Sequence, residues 1–142
     1  MEGLHLEATF PGLRGTSYEV TSRKSTRYNC IAWAAGRDSR WWWPDPSPYT
    51  FWPEEPREHS LDAFVRVFRT LGYEICASGE HEPGSEKVAI YVDDSGPTHM
   101  ARQLASGLWS SKCGTREDIS HFLEALEGEK YGSVAVIMKR TS

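Results

Sequence analysis

Cys30 is the residue in this sequence whose setting most favours chemistry. It opens the segment 29–36 (NCIAWAAG), which is largely apolar and ends at Gly36, a residue that commonly terminates helices. The segment therefore predicts a short buried helix with Cys30 at its N-terminal end. Free backbone N–H groups and the helix dipole stabilise an anion there, which lowers the pKa of a cysteine. A thiolate at Cys30 could attack a carbonyl group, and the same N–H groups could bind the resulting oxyanion.

His99 is the best candidate for a partner of Cys30. It follows the turn-forming segment 93–97 (DDSGP) and begins a predicted strand, so its side chain is expected at the rim of a sheet. A helix packed on that rim would bring Cys30 within reach, and His99 could then take the thiol proton and later return it. The remaining histidines are less suited to this role. His5, His59 and His81 are expected to be solvated, and His121 is expected to have a capping or structural role.

The rest of the chain must position these two residues, and it combines helix and strand signals. Ser60 is a good N-cap for an amphipathic helix that continues to Leu71, and Gly72 ends it. Strands are predicted over 73–77, 88–92, 99–104, 108–112 and 132–139, and a late helix over 118–126. Residues 1–24 are expected to form an irregular N-terminal arm. The sum predicts one α+β domain over 1–142, with N-terminal helices packed on an antiparallel sheet of about four or five strands.

Residues 37–59 form an unusual segment, in which six aromatic residues are interleaved with five prolines. The aromatic residues are Trp41, Trp42, Trp43, Tyr49, Phe51 and Trp52, and the prolines are Pro44, Pro46, Pro48, Pro53 and Pro56. Proline at this density excludes a helix or a central strand, so the segment predicts a long structured loop. Its aromatic side chains could cover the sheet as a hydrophobic lid, or some of them could line a cleft or a partner-binding surface.

Composition narrows the class of function. The 142 residues carry a formal charge of −4 with both signs interspersed, so no basic stripe is available for a nucleic acid. No stretch approaches the roughly 20 apolar residues of a membrane helix, and the first ten residues do not resemble a signal peptide. The three cysteines, Cys30, Cys76 and Cys113, form no CxxC pair, so neither a disulfide framework nor a structural zinc or other cofactor is expected. A reduced, cytoplasmic protein is therefore expected, although leaderless export would leave the same pattern.

The stretches YNCIAWAAG and THMARQLASGLWSSKCG, in this order, resemble the papain-like cysteine peptidases, and among these the compact NlpC/P60 group. They also look like an uncharacterised bacterial family with the same order. The resemblance covers residues from about 28 to 138 and implies a papain-like fold in which Cys30 heads a helix that faces His99. It also implies a third polar residue, on the next strand, that orients the imidazole. That residue is Ser111 here, with Asp118 or His121 as the alternatives.

Four further residues complete the predicted site. Asn29 or Tyr28 could donate a hydrogen bond to the oxyanion, beside the backbone N–H groups at Cys30. Trp42 and Trp109 are the expected substrate-binding residues. Cys76 and Cys113 each end a predicted strand and are expected to be structural.

These features favour a thiol hydrolase or acyltransferase that acts on a peptide, a protein or another amide. Water as the acyl acceptor would make it a peptidase, amidase or deamidase, and an amine would make it transglutaminase-like. The alternative is a catalytically inactive papain-like domain in which the aromatic loop is a recognition surface and Cys30 is a packed residue. A small immunity or antitoxin-type protein is a third hypothesis, which the acidic charge permits. The sequence does not predict an oligomeric state.

Overall fold

The computed structural model describes residues 2–14, 16, 18–21, 28–37, 40–44, 50–53, 57–112, 118–128 and 130–141. The predictions for Cys113, for the side chain of His5, and for Pro46, Pro48, Tyr49 and Pro56 fall outside the described residues. The tryptophans and Phe51 of the aromatic loop lie within them.

A seven-stranded antiparallel sheet forms the centre of the fold. Its strands are β1 (Glu19–Val20), β2 (Glu74–Cys76), β3 (Ser85–Asp93), β4 (Gly96–Gln103), β5 (Trp109–Lys112), β6 (Asp118–His121) and β7 (Ser133–Thr141). Their spatial order is β1–β6–β5–β4–β3–β7–β2. The predicted hairpin of β4 and β5 is confirmed, and Gly107 in its loop has a φ of +93°, which favours glycine.

The helices are short and sit at the ends and on the faces of the sheet. They are α1 (Glu2–Thr9), α2 (Cys30–Ala34) and α3 (Leu61–Thr70), and 3₁₀ turns cover Pro11–Leu13 and Leu123–Leu126. The prediction for α3 is confirmed, because the Ala63 backbone N–H donates to the Ser60 Oγ at 3.2 Å and caps the helix. The helix that Cys30 opens is also confirmed, although it is shorter than predicted.

The predicted papain-like α+β fold, with N-terminal helices on a sheet of four or five strands, is wrong. The described part of the chain is mostly a seven-stranded antiparallel sheet with few helical residues. The five predicted strands correspond to β2, β3, β4, β5 and β7, and the two that the sequence did not predict are β1 and β6. The two residues of β1 are too few to leave an alternating pattern, and β6 lies in a segment with helical spacing.

Two local predictions are also wrong. Residues 2–9 form α1 rather than part of an irregular arm, because Leu6 is buried on the sheet together with Phe10 and Leu13. Residues 118–121 form β6 rather than the start of a late helix, because all four pair with β5 and are buried. Only Leu123–Leu126 are helical in that region, as a 3₁₀ turn.

The sheet carries one hydrophobic core on each face. On the first, which we call the α2 face, Ile90 and Met100 belong to a cluster with Phe64 of α3 and with α2. On the second, the α1 face, Tyr91 belongs to a cluster with Leu6 of α1. Successive side chains of a strand point to opposite faces, so Ile90 and Tyr91 serve different cores.

Candidate functional site

An open cleft of about 540 Å³ lies where the N-terminal end of α2 meets the turn between β3 and β4. Its walls include the rings of Trp41, Trp43 and Tyr131 together with Pro97. The other described residues in its lining are Asn29, Cys30, Thr50, His59, Ser95, Thr98 and Lys130. We call this space the aromatic cleft. It is large enough for a small molecule or a peptide side chain, and Cys30 contributes to its lining.

The Cys30 side chain is buried in the wall of the aromatic cleft, with 7% of its surface exposed. Burial raises the pKa of its thiol from an ordinary value of about 9 to about 11. Backbone hydrogen bonds from Met100, Ile31 and Cys30 itself lower this pKa, as does the positive charge of Lys112, but they do not offset the burial. The sulfur is therefore protonated at neutral pH.

Cys30 and His99 lie on opposite faces of the sheet, so the predicted pair does not form. The Cys30 sulfur contacts the backbone of Met100 and packs in the core of the α2 face. His99 pairs across the sheet with Tyr91, one position along from Met100, and therefore points to the α1 face. There its ring stacks on Tyr131, with centroids 4.0 Å apart and planes within 6°.

Ser111 does contact the His99 ring, as the sequence predicts for the third site residue. The Ser111 Oγ lies 2.9 Å from the His99 Nε2 and 2.7 Å from the His121 Nε2. His121 Nδ1 lies 2.7 Å from the Phe122 carbonyl oxygen. The three polar side chains therefore form one buried chain on the α1 face, which we call the histidine relay, and it does not include Cys30.

The hydrogen bonds of the histidine relay fix both tautomers. A carbonyl oxygen only accepts, so His121 Nδ1 carries a proton and the neutral ring accepts at Nε2 from the Ser111 hydroxyl. Ser111 then accepts from a proton on His99 Nε2, which leaves His99 Nδ1 with a lone pair. That buried nitrogen makes no hydrogen bond in the described part of the chain.

Both histidines of the relay are held neutral at pH 7. Burial lowers the pKa of His99 well below its ordinary value of 6.5, and the positive charge that His121 can carry lowers it further. Burial also lowers the pKa of His121, to about 4, although the hydrogen bond to Phe122 opposes this shift. A relay in this state stabilises the core and supplies no imidazolium partner for the Cys30 thiol.

The two residues predicted as alternatives to Ser111 lie on opposite faces of the sheet. His121 belongs to the histidine relay on the α1 face. Asp118 lies on the α2 face, where its carboxylate accepts from the Tyr28 hydroxyl at 2.8 Å. The Lys112 ammonium lies 5.3 Å from the Tyr28 ring centroid and pairs in register with Asp118. Tyr28 thus anchors α2 to the sheet through a buried polar cluster, and its hydroxyl is not available as an oxyanion donor.

The two tryptophans predicted to bind substrate lie in the protein interior instead. Trp42 is buried beside Phe51 with ring centroids 5.3 Å apart, and Trp109 is buried on the α1 face. Neither lines the aromatic cleft. Trp41 and Trp43 do, because residues next to Trp42 in the extended segment point the other way.

Asn29 holds the cleft wall together through three hydrogen bonds. Its Oδ1 caps α2 by accepting from the Ala32 N–H at 3.2 Å, and it also accepts from the Trp42 N–H at 3.1 Å. Its Nδ2 donates to the Trp42 carbonyl at 2.8 Å. The Nδ2 group has a second N–H and Asn29 lines the aromatic cleft, so its role as an oxyanion donor stays a prediction.

Replacing Asn29 with alanine is expected to lower the free energy of unfolding by about 3 kcal/mol. The variant loses a helix cap worth about 1 kcal/mol and leaves two buried backbone groups of Trp42 without partners. Urea denaturation followed by tryptophan fluorescence measures the loss. Ser60→Ala, which removes only the cap of α3, is the matched control and is expected to cost about 1 kcal/mol. Equal losses in the two variants would contradict the bridging role of Asn29.

His59 is exposed, as the sequence predicts, and it also lines the aromatic cleft, which the sequence did not predict. Its ring lies 5.4 Å from Trp43, and its Nε2 lies 2.5 Å from the Pro97 carbonyl oxygen. Since the carbonyl only accepts, Nε2 carries the proton and Nδ1 of the neutral ring keeps a lone pair that can act as a base. Its position directly before the helix cap Ser60, at the end of the aromatic loop, was the one sequence signal for this placement.

Comparisons with known proteins give a family without an assigned activity. A family model described as "Domain of unknown function (DUF7689)" matches residues 19–139. No curated protein and no solved structure matches the chain. Among the described residues, no helix is long and apolar enough to cross a membrane, and no three His, Cys, Asp or Glu side chains are grouped to hold a metal ion.

Proposed function

Because the chain belongs to this domain family of unknown function, we propose from its geometry that the aromatic cleft binds a ligand with a flat or apolar group, such as a peptide side chain. One observation carries the proposal. An open space of about 540 Å³ is walled by three aromatic rings, two of which, Trp41 and Trp43, are only partly buried. Aromatic rings that remain partly exposed at a concave site gain burial when a ligand enters.

The cleft walls are well supported, which favours binding without a large rearrangement. Trp43 packs edge-on against Phe64 of α3, with centroids 5.8 Å apart. Tyr131 is held from behind by His99, and Trp41 adjoins the segment that Asn29 ties to α2. Hydroxyl groups and the Lys130 ammonium add polar atoms to the lining, and these could fix the orientation of an amide.

We expect N-acetyl-tryptophanamide to bind the cleft more tightly than N-acetylglycinamide, since only the first carries an aromatic group. Trp41→Ala is expected to weaken its binding roughly tenfold, the upper range for one aromatic pair. Ligand-observed NMR titration measures both affinities. Phe122→Ala is the control, because Phe122 is 48% exposed but does not line the cleft. Equal affinity for the two amides, or a loss in Phe122→Ala alone, would reject the proposal.

A second proposal, thiol-dependent hydrolysis or acyl transfer on an amide, is favoured by a separate observation. Backbone hydrogen bonds from Met100, Ile31 and Cys30 surround the sulfur, and His59 with its lone pair at Nδ1 lines the same cleft. In this scheme His59 takes the thiol proton while the sulfur forms a bond to the carbonyl carbon. The C–N bond then breaks, and the amine leaves with that proton. Water or a second amine takes the acyl group from the thioester.

The two proposals give different results for one variant. Cys30→Ala should leave the affinity for N-acetyl-tryptophanamide unchanged if the cleft only binds. If the thiol acts, the wild type should release ammonia from this amide, and both Cys30→Ala and His59→Ala should abolish the release. His81→Ala, which changes an exposed histidine outside the cleft, is the matched control. No ammonia above the Cys30→Ala background would reject the second proposal.

A further inference from the structure

A second hollow, of about 280 Å³, lies at the other end of α2, where the helix meets β3, β4 and β7. Its lining includes Tyr73, Glu86, Arg102 and Arg140. We call it the arginine pocket. None of the described residues lines both this pocket and the aromatic cleft.

Among the described residues, the Trp33 ring holds Arg102 in the arginine pocket. Its guanidinium lies 3.8 Å from the centroid of the Trp33 ring, and the Trp33 indole N–H donates to the Ser110 Oγ at 3.0 Å. A guanidinium held over an indole ring by a cation–π contact keeps its N–H groups for hydrogen bonds to other partners. Arg102 makes no hydrogen bond and no ion pair with any residue that the structure describes. This is notable in a chain with 20 acidic residues.

Arg140 supplies a second fixed positive charge. Its guanidinium lies 4.6 Å from the Tyr73 ring centroid and donates to the Leu71 carbonyl at 2.8 Å and to the Glu86 carboxylate at 2.9 Å. The negative charge of Glu86 is therefore already engaged by Arg140, and no acidic residue that the structure describes forms an ion pair with Arg102.

The Tyr73 hydroxyl lies in the field of both arginines. Burial raises the pKa of Tyr73, and the positive charges of Arg140 and Arg102 oppose that shift. The hydroxyl makes no hydrogen bond with a described residue, so it can donate to a ligand. The pocket thus brings together two guanidinium groups and one hydroxyl donor.

We propose that the arginine pocket binds a phosphate group, either as inorganic phosphate or as a phosphate monoester. A planar guanidinium with free N–H groups matches two oxygens of a phosphate, and a hydroxyl can donate to a third. Lys87 is also a lining residue, but its ammonium is already bound to two carbonyl groups and to Glu82, so Arg102 is the group that the ligand would engage first.

Calorimetric titration at constant ionic strength tests this proposal, with inorganic phosphate and glycerol phosphate as the probes and chloride as the reference anion. We expect at least one phosphate probe to bind, and Arg102→Gln to weaken its binding at least tenfold. Arg14→Gln removes the same charge from an exposed position outside the pocket and is expected to change affinity less than twofold. Binding of the monoester alone would identify an esterified ligand, and binding of both probes would show that the phosphate group suffices.

Tyr73→Phe is a second variant that tests the pocket even if Arg102→Gln does not fold, because it keeps the buried ring and removes only the hydroxyl. It is expected to weaken phosphate binding two- to fivefold. Circular dichroism establishes that each variant is folded. Binding of neither probe to the wild type would overturn the proposal, as would equal losses in Arg102→Gln and Arg14→Gln. Neither result bears on the aromatic cleft, whose ligand is tested separately.

Discussion

In the folded protein at pH 7.5, Cys30 is expected to react with iodoacetamide about a hundred times more slowly than after unfolding in urea. Only the thiolate reacts, and a rise of the thiol pKa from about 9 to about 11 lowers the thiolate fraction about a hundredfold. Burial of the sulfur adds to this protection. Peptide mapping by mass spectrometry resolves the rate at each cysteine.

Cys76 provides an internal reference for that experiment, because it is more exposed than Cys30 and ends the edge strand β2. It should react faster than Cys30 in the folded protein, and the two should converge in urea. Cys30 could instead react rapidly, with a rate that His59→Ala lowers and His81→Ala leaves unchanged. That result would contradict a Cys30 thiol that is protonated at neutral pH. Such a result would favour the thiol-dependent activity over a cleft that only binds.

The histidine relay is expected to make the protein lose stability between pH 6.5 and pH 4. A histidine whose pKa is lowered in the folded state binds its proton more readily after unfolding, at about pH 6.5. The stability that such a histidine contributes is therefore complete above pH 6.5, and it is lost as the pH falls toward the pKa of the histidine in the folded state. For His121, whose pKa is about 4, the loss amounts to about 3 kcal/mol, and His99 adds to it in the same direction.

His121→Gln separates this effect from the titration of carboxylates. Glutamine does not titrate, and its amide oxygen can still accept from Ser111, so the variant should lose about 3 kcal/mol less than the wild type between pH 7 and pH 4. Urea denaturation at each pH measures the free energy of unfolding. His81→Gln, at an exposed position, should follow the wild type. Parallel curves for His121→Gln and the wild type would show that the relay does not control acid stability.

The sequence predicted local structure well where a cap or a turn residue marks it. Ser60 and Asn29 sit at the starts of α3 and α2, and Gly107 sits in the β4–β5 loop. The contact between His99 and Ser111 was expected from the resemblance to papain-like peptidases, which implied a third polar residue on the next strand. These features depend on residues close together in the chain or on neighbouring strands.

The face of the sheet to which His99 points could not be predicted in the same way. A shift of one residue in a strand moves a side chain to the other face, and the sequence around His99 is apolar or small on both sides. Both faces of β4 are buried, so polarity does not distinguish them. The predicted start of the strand therefore allowed His99 to face Cys30. In the structure Met100 pairs with Ile90, and this register places His99 on the opposite face of the sheet.

The segment that became β6 illustrates a competing pattern. Ile119, Phe122, Leu123 and Leu126 have helical spacing, which predicted a late helix. In the structure Asp118 and Ser120 point to the α2 face, while Ile119 and His121 point to the α1 face. Pairing with β5 outweighs the weak helical preference, because it buries all four residues while it engages their backbone groups in the sheet.

The position of Tyr131 limits which substitutions the wall of the aromatic cleft can accept during evolution. One side of its ring stacks on His99 at 4.0 Å, and the residue also lines the cleft. A substitution that alters ligand preference at this wall therefore also changes the buried surroundings of His99 and its link to Ser111. Specificity in this lineage should then diverge first at Lys130, which is exposed, and last at Tyr131.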